Sequence, residues 1–200
     1  MKQIFYIDGG AGRIIAAIPA LLKFARLNPD ADWNVLIPAW DPLLWSIPEL
    51  QDRVYSLDTK GLFDNVISKA DIIHSPEPYR VPAYFKQEVS IAEAFDMEIN
   101  DTTDHSDLGV PTLEFNKAET SVSIKTISEL KQIQKKPITV VIQPFGRGAQ
   151  PTDQNTEGRT TSVDDEESRS LTPGDYVFIA QKLASRYNLV FFGESDFHLK

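Results

Sequence analysis

Lys2-Gln3-Ile4-Phe5-Tyr6-Ile7-Asp8-Gly9-Gly10-Ala11-Gly12-Arg13, continuing as Ile14-Ile15-Ala16-Ala17-Ile18-Pro19-Ala20-Leu21-Leu22, is the stretch on which the fold turns. Lys2–Asp8 is apolar and rich in β-formers, so it reads as a strand buried on both faces, at or near the centre of a sheet. Gly9-Gly10-Ala11-Gly12 is a tight turn. Arg13–Leu27 then places Ile14, Ile15, Ile18, Leu21, Leu22 and Ala25 on one broad apolar face at helical spacing, with Pro19 expected to bend the helix or close a first turn. Strand, glycine turn and helix open a nucleotide-binding type of α/β fold.

The alternation continues outward from there. Trp33–Pro38 reads as a second strand, Asp41–Ile47 as a short helix with Pro42 in its first turn, and Arg53–Leu57 as a third strand. Leu62–Lys69 is helical or irregular, and Asp71–His74 is a fourth strand running into the proline-bearing loop Ser75–Pro82. Ser90–Met97 is an amphipathic helix with Ser90 and Glu93 spaced as a capping box. Strands alternating with helices predict a Rossmann-like parallel sheet. Asn100–Leu108 is a polar loop, and Thr112–Phe115 is expected to add a short strand. Ser123–Lys135 is a polar helix with a thin apolar stripe at Ile124, Ile127, Leu130 and Ile133, stopped by Pro137. Ile138–Ile142 looks like the most buried strand of the chain. Gln150–Arg169, almost without apolar residues, reads as a long mobile loop that could act as a lid. Thr172-Pro173 begins a helix through Arg186, and Asn188–Phe192 is a final strand. This divides the chain into a first domain over 1–118, a linker helix over 119–136, and a second Rossmann-like domain over 137–200. Two strands and one helix do not complete such a domain, so the second is expected to be truncated, with Ile138–Ile142 and Asn188–Phe192 as neighbouring parallel strands.

The 200 residues carry 20 basic and 29 acidic side chains, a net charge of −9, which argues against nucleic acid as a partner. A hydrophobic fraction of 42% supports a packed core. The absence of cysteine excludes disulfides, thiolate catalysis and Cys-ligated metals. Three dispersed histidines, His74, His105 and His198, make a histidine metal site an unfavoured reading. Asp30-Ala31-Asp32 precedes the second strand, away from the expected crevice, and reads as a solvated turn. The longest apolar run, Ile14–Leu22, is too short to span a bilayer, and no targeting segment is visible. A cytoplasmic setting is expected, with peripheral membrane contact left open.

The candidate site gathers at the carboxyl ends of the strands. Asp8 through Arg13 offers glycines for close backbone approach and a helix start for an anion. The dinucleotide fingerprint is not met, since Ile15 stands where its third glycine belongs, and no phosphate-binding G-x-x-x-x-G-K-[ST] occurs. His74 lies at the end of the fourth strand, where it could bond a substrate. Gly146-Arg147-Gly148 occupies the equivalent position after the second strong strand and suits a diphosphate through amides and a guanidinium. Arg169 and Thr172 precede the following helix and face the same crevice. Each of these motifs also has a plain structural reading, as a packing turn or a solvated loop.

The succession Gly10-Ala11-Gly12-Arg13 … Pro19-Ala20-Leu21, then Leu27-Asn28-Pro29-Asp30-Ala31 with Val35-Leu36-Ile37, then Ile91-Ala92-Glu93-Ala94-Phe95, then Ile138–Arg147 with Arg169-Ser170-Leu171-Thr172-Pro173, resembles the heptosyltransferase-like family of GT-B glycosyltransferases. The resemblance runs over nearly the whole chain. It implies two Rossmann-like domains facing a cleft, an inverting, metal-independent transfer from a nucleotide-diphosphate sugar to a glycan or other acceptor, and no cofactor besides that donor. Joined to the positional reading above, it puts the acceptor at Gly9, Gly10, Gly12 and His74, and the donor at Gly146, Arg147, Gly148, Arg169 and Thr172. The family's catalytic aspartate falls on Arg13, which cannot take a proton because it stays charged. Asp8, five residues earlier, is the carboxylate placed to serve as base, and Arg13 could hold an anionic acceptor or donor phosphate. Two other readings stand beside this one: a non-catalytic carbohydrate- or nucleotide-binding relative, and a different α/β enzyme of nucleotide metabolism.

Overall fold

The computed structural model describes residues 1–110, 112–113, 115–133, 136–145, 149–164 and 170–192. The chain divides into two units, Met1–Thr120 and Ser121–Lys200.

The first unit is an α/β layer structure. Its strands are β1 (Lys2–Tyr6), β2 (Asp32–Ile37), β3 (Val54–Ser56) and β4 (Ile72–His74). They form a parallel sheet in the order β3-β2-β1-β4, with Phe5 opposite both Val35 and His74. β1 is therefore an inner strand, as its apolar run requires. One face packs on α1 (Ala11–Leu27) and α5 (Ile91–Asn100), with Phe5, Trp33 and Phe24 in mutual edge contact and Ile18, Leu21 and Phe95 around them. On the other face Ile4 and Leu36 meet Leu62 and Val66, from α3 (Leu62–Asn65) and the residue after it. Both faces of β2 are covered, which explains its near-continuous apolar sequence.

Short helices α2 (Pro42–Trp45) and α4 (Pro82–Phe85) fill connections on the carboxyl side, each with a proline in its first turn where no N–H is needed. α1 starts two residues before the sequence predicts, at Ala11, and runs unbroken through Pro19. The capping box of α5 is formed: Glu93 N–H donates to Ser90 Oγ, and Ser90 N–H to the Glu93 carboxylate at 2.6 Å. That second bond holds the Glu93 carboxyl below its ordinary range. Thr112, Leu113 and Phe115 do not form the expected strand. Leu113 packs against the α1–α5 core instead.

α6 (Lys117–Ile133) crosses from the first unit into the second. It begins earlier than its apolar stripe suggests, because Asn116 and Glu119 exchange side-chain to backbone hydrogen bonds at 2.9 Å and cap it.

In the second unit β5 (Thr139–Ile142) and β8 (Asn188–Phe191) are parallel neighbours. α7 (Pro173–Leu183) lies between them in sequence, capped by Thr172 and Asp175. β5 is not the most buried strand of the chain: Val141 is 65% exposed, and β2 is far better covered. Over 150–164 the segment read as a mobile loop forms an antiparallel hairpin instead, β6 (Gln150–Gln154) with β7 (Thr160–Asp164), and 165–169 lie outside the described residues. Its turn is fixed by Asn155 Oδ1, which accepts from the N–H of Glu157 and of Arg159, and by Gly158 at φ +74°. Phe145, Ala149 and Tyr176 make the core of this unit, with Ile142 and Val163 against them.

Candidate functional site

The strand order puts a topological switch point between β1 and β4. The chain leaves β1 toward β2 and β3, then returns to the far side of β1 as β4. Ligands of open parallel sheets enter beside the carboxyl ends of strands at such a point. Here those ends are the Asp8–Gly10 turn leading into α1 and the Ser75–Arg80 loop.

Arg13 joins the two. One guanidinium nitrogen lies 3.1 Å from Asp8 Oδ1 and donates to the Pro76 carbonyl at 2.9 Å. The other donates to Glu77 Oε1 at 3.1 Å. The side chain is only 11% exposed. Its cationic carbon stands 5.3 Å from the ring centre of Tyr79 and 5.8 Å from that of Phe95, so aromatic faces add to the carboxylates. Asp8 and Glu77 remain 49% and 35% exposed at the lip of the crevice. Arg13 is thus already engaged by two carboxylates, the opposite of a cation waiting for a phosphate.

Gly9 makes this geometry feasible. Its φ is +96°, and a Cβ there would lie 2.9 Å from Arg13 Cδ. Gly10 and Gly12 carry no such constraint, with nothing within 4 Å of an added Cβ. Gly9→Ala should therefore destabilise the first unit by about 1–3 kcal/mol, through left-handed strain and displacement of Arg13. Gly12→Ala, inside the helix, should be neutral or stabilising by up to about 1 kcal/mol. Urea unfolding followed by tryptophan fluorescence distinguishes them, and equal midpoints for the two variants would refute this reading of Gly9.

His74 sits at the end of β4 but is turned to the sheet: its Nε2 is 3.0 Å from Gln3 Oε1, and its ring stacks on Phe5 at 5.0 Å. It supports the sheet face rather than the lip with Asp8. Trp40, at φ +70° just after β2, and Trp45 on α2 are 40% and 53% exposed on the carboxyl side of the sheet, whereas Trp33 is core. Gly146, Arg147, Gly148 and Arg169 lie outside the described residues. Thr172 is described, and its hydroxyl donates to Asp175 Oδ2 at 2.7 Å within the cap of α7. Among the described residues no group of three or more His, Cys, Asp or Glu could hold a metal ion, and no helix is long and apolar enough to cross a membrane.

Sequence reading named Arg13 and Asp8 but not their link, and it passed over a second polar centre on α1. Lys23 is buried, and its ammonium lies 3.1 Å from Asp96 Oδ2 and 2.7 Å from Asp107 Oδ1 while donating to the Asp104 carbonyl at 2.7 Å. Asp96, fully buried, also accepts from Asn100 at 2.7 Å and pairs with His105 Nδ1 at 2.7 Å. Burial pulls the Lys23 ammonium down, but its bonds to Asp107 and Asp96 outweigh that and hold it above its ordinary 10.5. The Lys23 hydrogen bond in turn holds the Asp107 carboxyl below its ordinary 3.8. This centre ties α1 to α5 and to the loop after it.

Among solved structures the chain is similar to E. coli heptosyltransferase WaaC with ADP, at 8% identity and a TM-score of 0.46, covering 94% of this chain and 67% of that one. No protein-family model matches the chain, and the search of curated proteins found no match.

Proposed function

We propose that the chain is a sugar-transferring protein of the GT-B kind, whose β1–β4 crevice receives the acceptor and whose Asp8 is the base. The observation that supports this reading is a half-exposed carboxylate at the switch point, on the turn that resembles the heptosyltransferase-like pattern. In the transfer, the acceptor hydroxyl oxygen attacks the anomeric carbon of a nucleotide-diphosphate sugar. The bond from that carbon to the diphosphate oxygen breaks, its electron pair leaves with the diphosphate, and the hydroxyl proton passes to Asp8, inverting the centre. Arg13 acts as a positioning residue, fixing Asp8 Oδ1 so that the carboxylate is aimed before the acceptor arrives. On this reading the leaving charge is met by Arg147 or Arg169, as the sequence resemblance implies, with no metal in the step.

The same ion pair favours a second reading, binding without catalysis, because a guanidinium at 3.1 Å offsets the charge that a base needs. One experiment separates the two. On the transfer reading, Asp8→Asn loses at least about 100-fold in turnover, the usual contribution of a general base, and keeps donor affinity. Unchanged turnover overturns the role of Asp8. Donor binding by the wild type without transfer to any acceptor selects the binding reading.

A further inference from the structure

Beside the crevice, between α4 and the start of α5, lies an open cavity of about 540 Å³ whose walls include Tyr84, Phe85, Gln87, Glu88 and Glu93. Its size is that of a small-molecule subsite. Four observations bear on what it takes. Phe85 is 84% exposed on its wall, an unpacked aromatic ring that folding does not use. Gln87, at φ +62°, is the left-handed residue that ends α4, with its N–H donating to the Tyr84 carbonyl and the Glu88 N–H to the Ala83 carbonyl, both at 2.9 Å, and this turn sets Gln87 and Glu88 in the cavity wall. Among the described residues of its walls the charged ones are the carboxylates Glu88 and Glu93, and Glu93 is fixed by its bond to Ser90 N–H. A row of aromatic contacts links its wall to the crevice, since Tyr84 meets Tyr79 edge-on at 5.7 Å and Tyr79 lies against Arg13.

We infer that this cavity is a saccharide subsite, holding an uncharged sugar ring of a glycan acceptor one residue or more from the hydroxyl presented to Asp8. Aromatic rings stack on the C–H face of a sugar, and Gln87 and Glu88 supply the amide and carboxylate that accept from its hydroxyls. An anionic sugar would meet the carboxylates of Glu88 and Glu93. The inference rests on the transferase reading for the word acceptor. The binding site itself stands on the cavity alone.

The test uses the whole chain without donor and a panel of maltotriose, cellotriose, mannotriose and chitotriose, followed by saturation-transfer NMR and calorimetry. At least one trisaccharide should bind. Phe85→Ala should weaken it about tenfold, the loss of one stacking face, while Phe63→Ala, another exposed ring outside the cavity, leaves it unchanged. Phe85 is too exposed for its loss to unfold the protein. Circular dichroism checks this. No binding by the panel, or equal binding by Phe85→Ala, overturns the subsite. Saccharide binding that depends on Phe85 in a protein that never consumes a nucleotide sugar keeps the subsite and removes the transferase. Transfer that is intact in Phe85→Ala, with an unchanged KM for the acceptor, keeps the transferase and removes the subsite.

Discussion

Asp96→Ala should lower the stability of the Met1–Thr120 unit by about 4 kcal/mol, the usual result of removing one member of a buried ion pair. The alanine leaves Lys23 buried with Asp107 alone as counter-ion, and strips His105 and Asn100 of their shared acceptor. All three tryptophans, Trp33, Trp40 and Trp45, belong to this unit, so urea unfolding followed by tryptophan fluorescence reads it without the second unit. With a urea slope of about 2 kcal/mol/M the midpoint falls by about 2 M. Asp107→Ala is the control. Its carboxylate is half exposed and solvent-screened, so its midpoint should fall by only a small part of the shift in Asp96→Ala. A fall of less than about 1 kcal/mol for Asp96→Ala would show that the centre is loosely hydrated and not a lock.

The same centre sets a pH window. Lys23 is held above its ordinary 10.5, so the stability it supplies is whole below that pH and is lost as pH rises through its folded value. Asp107 is held below its ordinary 3.8, so its share is present above that pH and is lost as pH falls through its folded value. The α1–α5 seam is therefore at full strength from weakly acid to moderately alkaline solution and weakens outside those limits.

Arg13→Ala is the second large effect. It removes the ion pair to Asp8, the bonds to Glu77 and Pro76, and the contacts with Tyr79 and Phe95. Two carboxylates are then left facing each other without a cation. A loss of about 3 kcal/mol is expected, below the figure for a fully buried centre because Asp8 and Glu77 are partly solvated. Amide hydrogen exchange should quicken over residues 75–82, which Arg13 holds to the glycine turn. Arg13→Lys should recover less than half of the loss, since one ammonium cannot reach both carboxylates and the carbonyl in the fork geometry. Exchange at wild-type rate in Arg13→Ala would mean that the two loops hold their places unaided.

The residues show unevenly how much of this was legible beforehand. β1, the turn and α1 were readable because a two-sided apolar strand and a helical apolar face leave local patterns. The α5 cap was readable because Ser90 and Glu93 are local partners. The β6–β7 hairpin was not, since its threonines, serines and acidic residues carry no apolar alternation. What forms it is backbone pairing and the Asn155–Gly158 turn, and that turn was the available signal. Val140 and Val141 mark a strand by composition, but composition does not say whether a layer covers it, which is why β5 looked more buried than it is. At the site, residue types were legible and partners were not. Arg13 finds Glu77 across 64 positions, and Lys23 finds Asp96 across 73, distances that only the folded sheet closes.

The guanidinium of Arg13 also shapes which mutational routes are open to this protein. Its acidic partners come from two loops, so no single substitution at position 13 is neutral while both remain. A descendant that puts a carboxylate at 13 places three acids around one site, and is viable only after Glu77 or Asp8 has changed. Drift at these three positions is therefore ordered: losses at 77 or 8 come first and the arginine follows. Homologous sequences should include ones that keep Arg13 after Glu77 or Asp8 has changed, and frequent Arg13 loss beside an intact Asp8 and Glu77 would contradict that order.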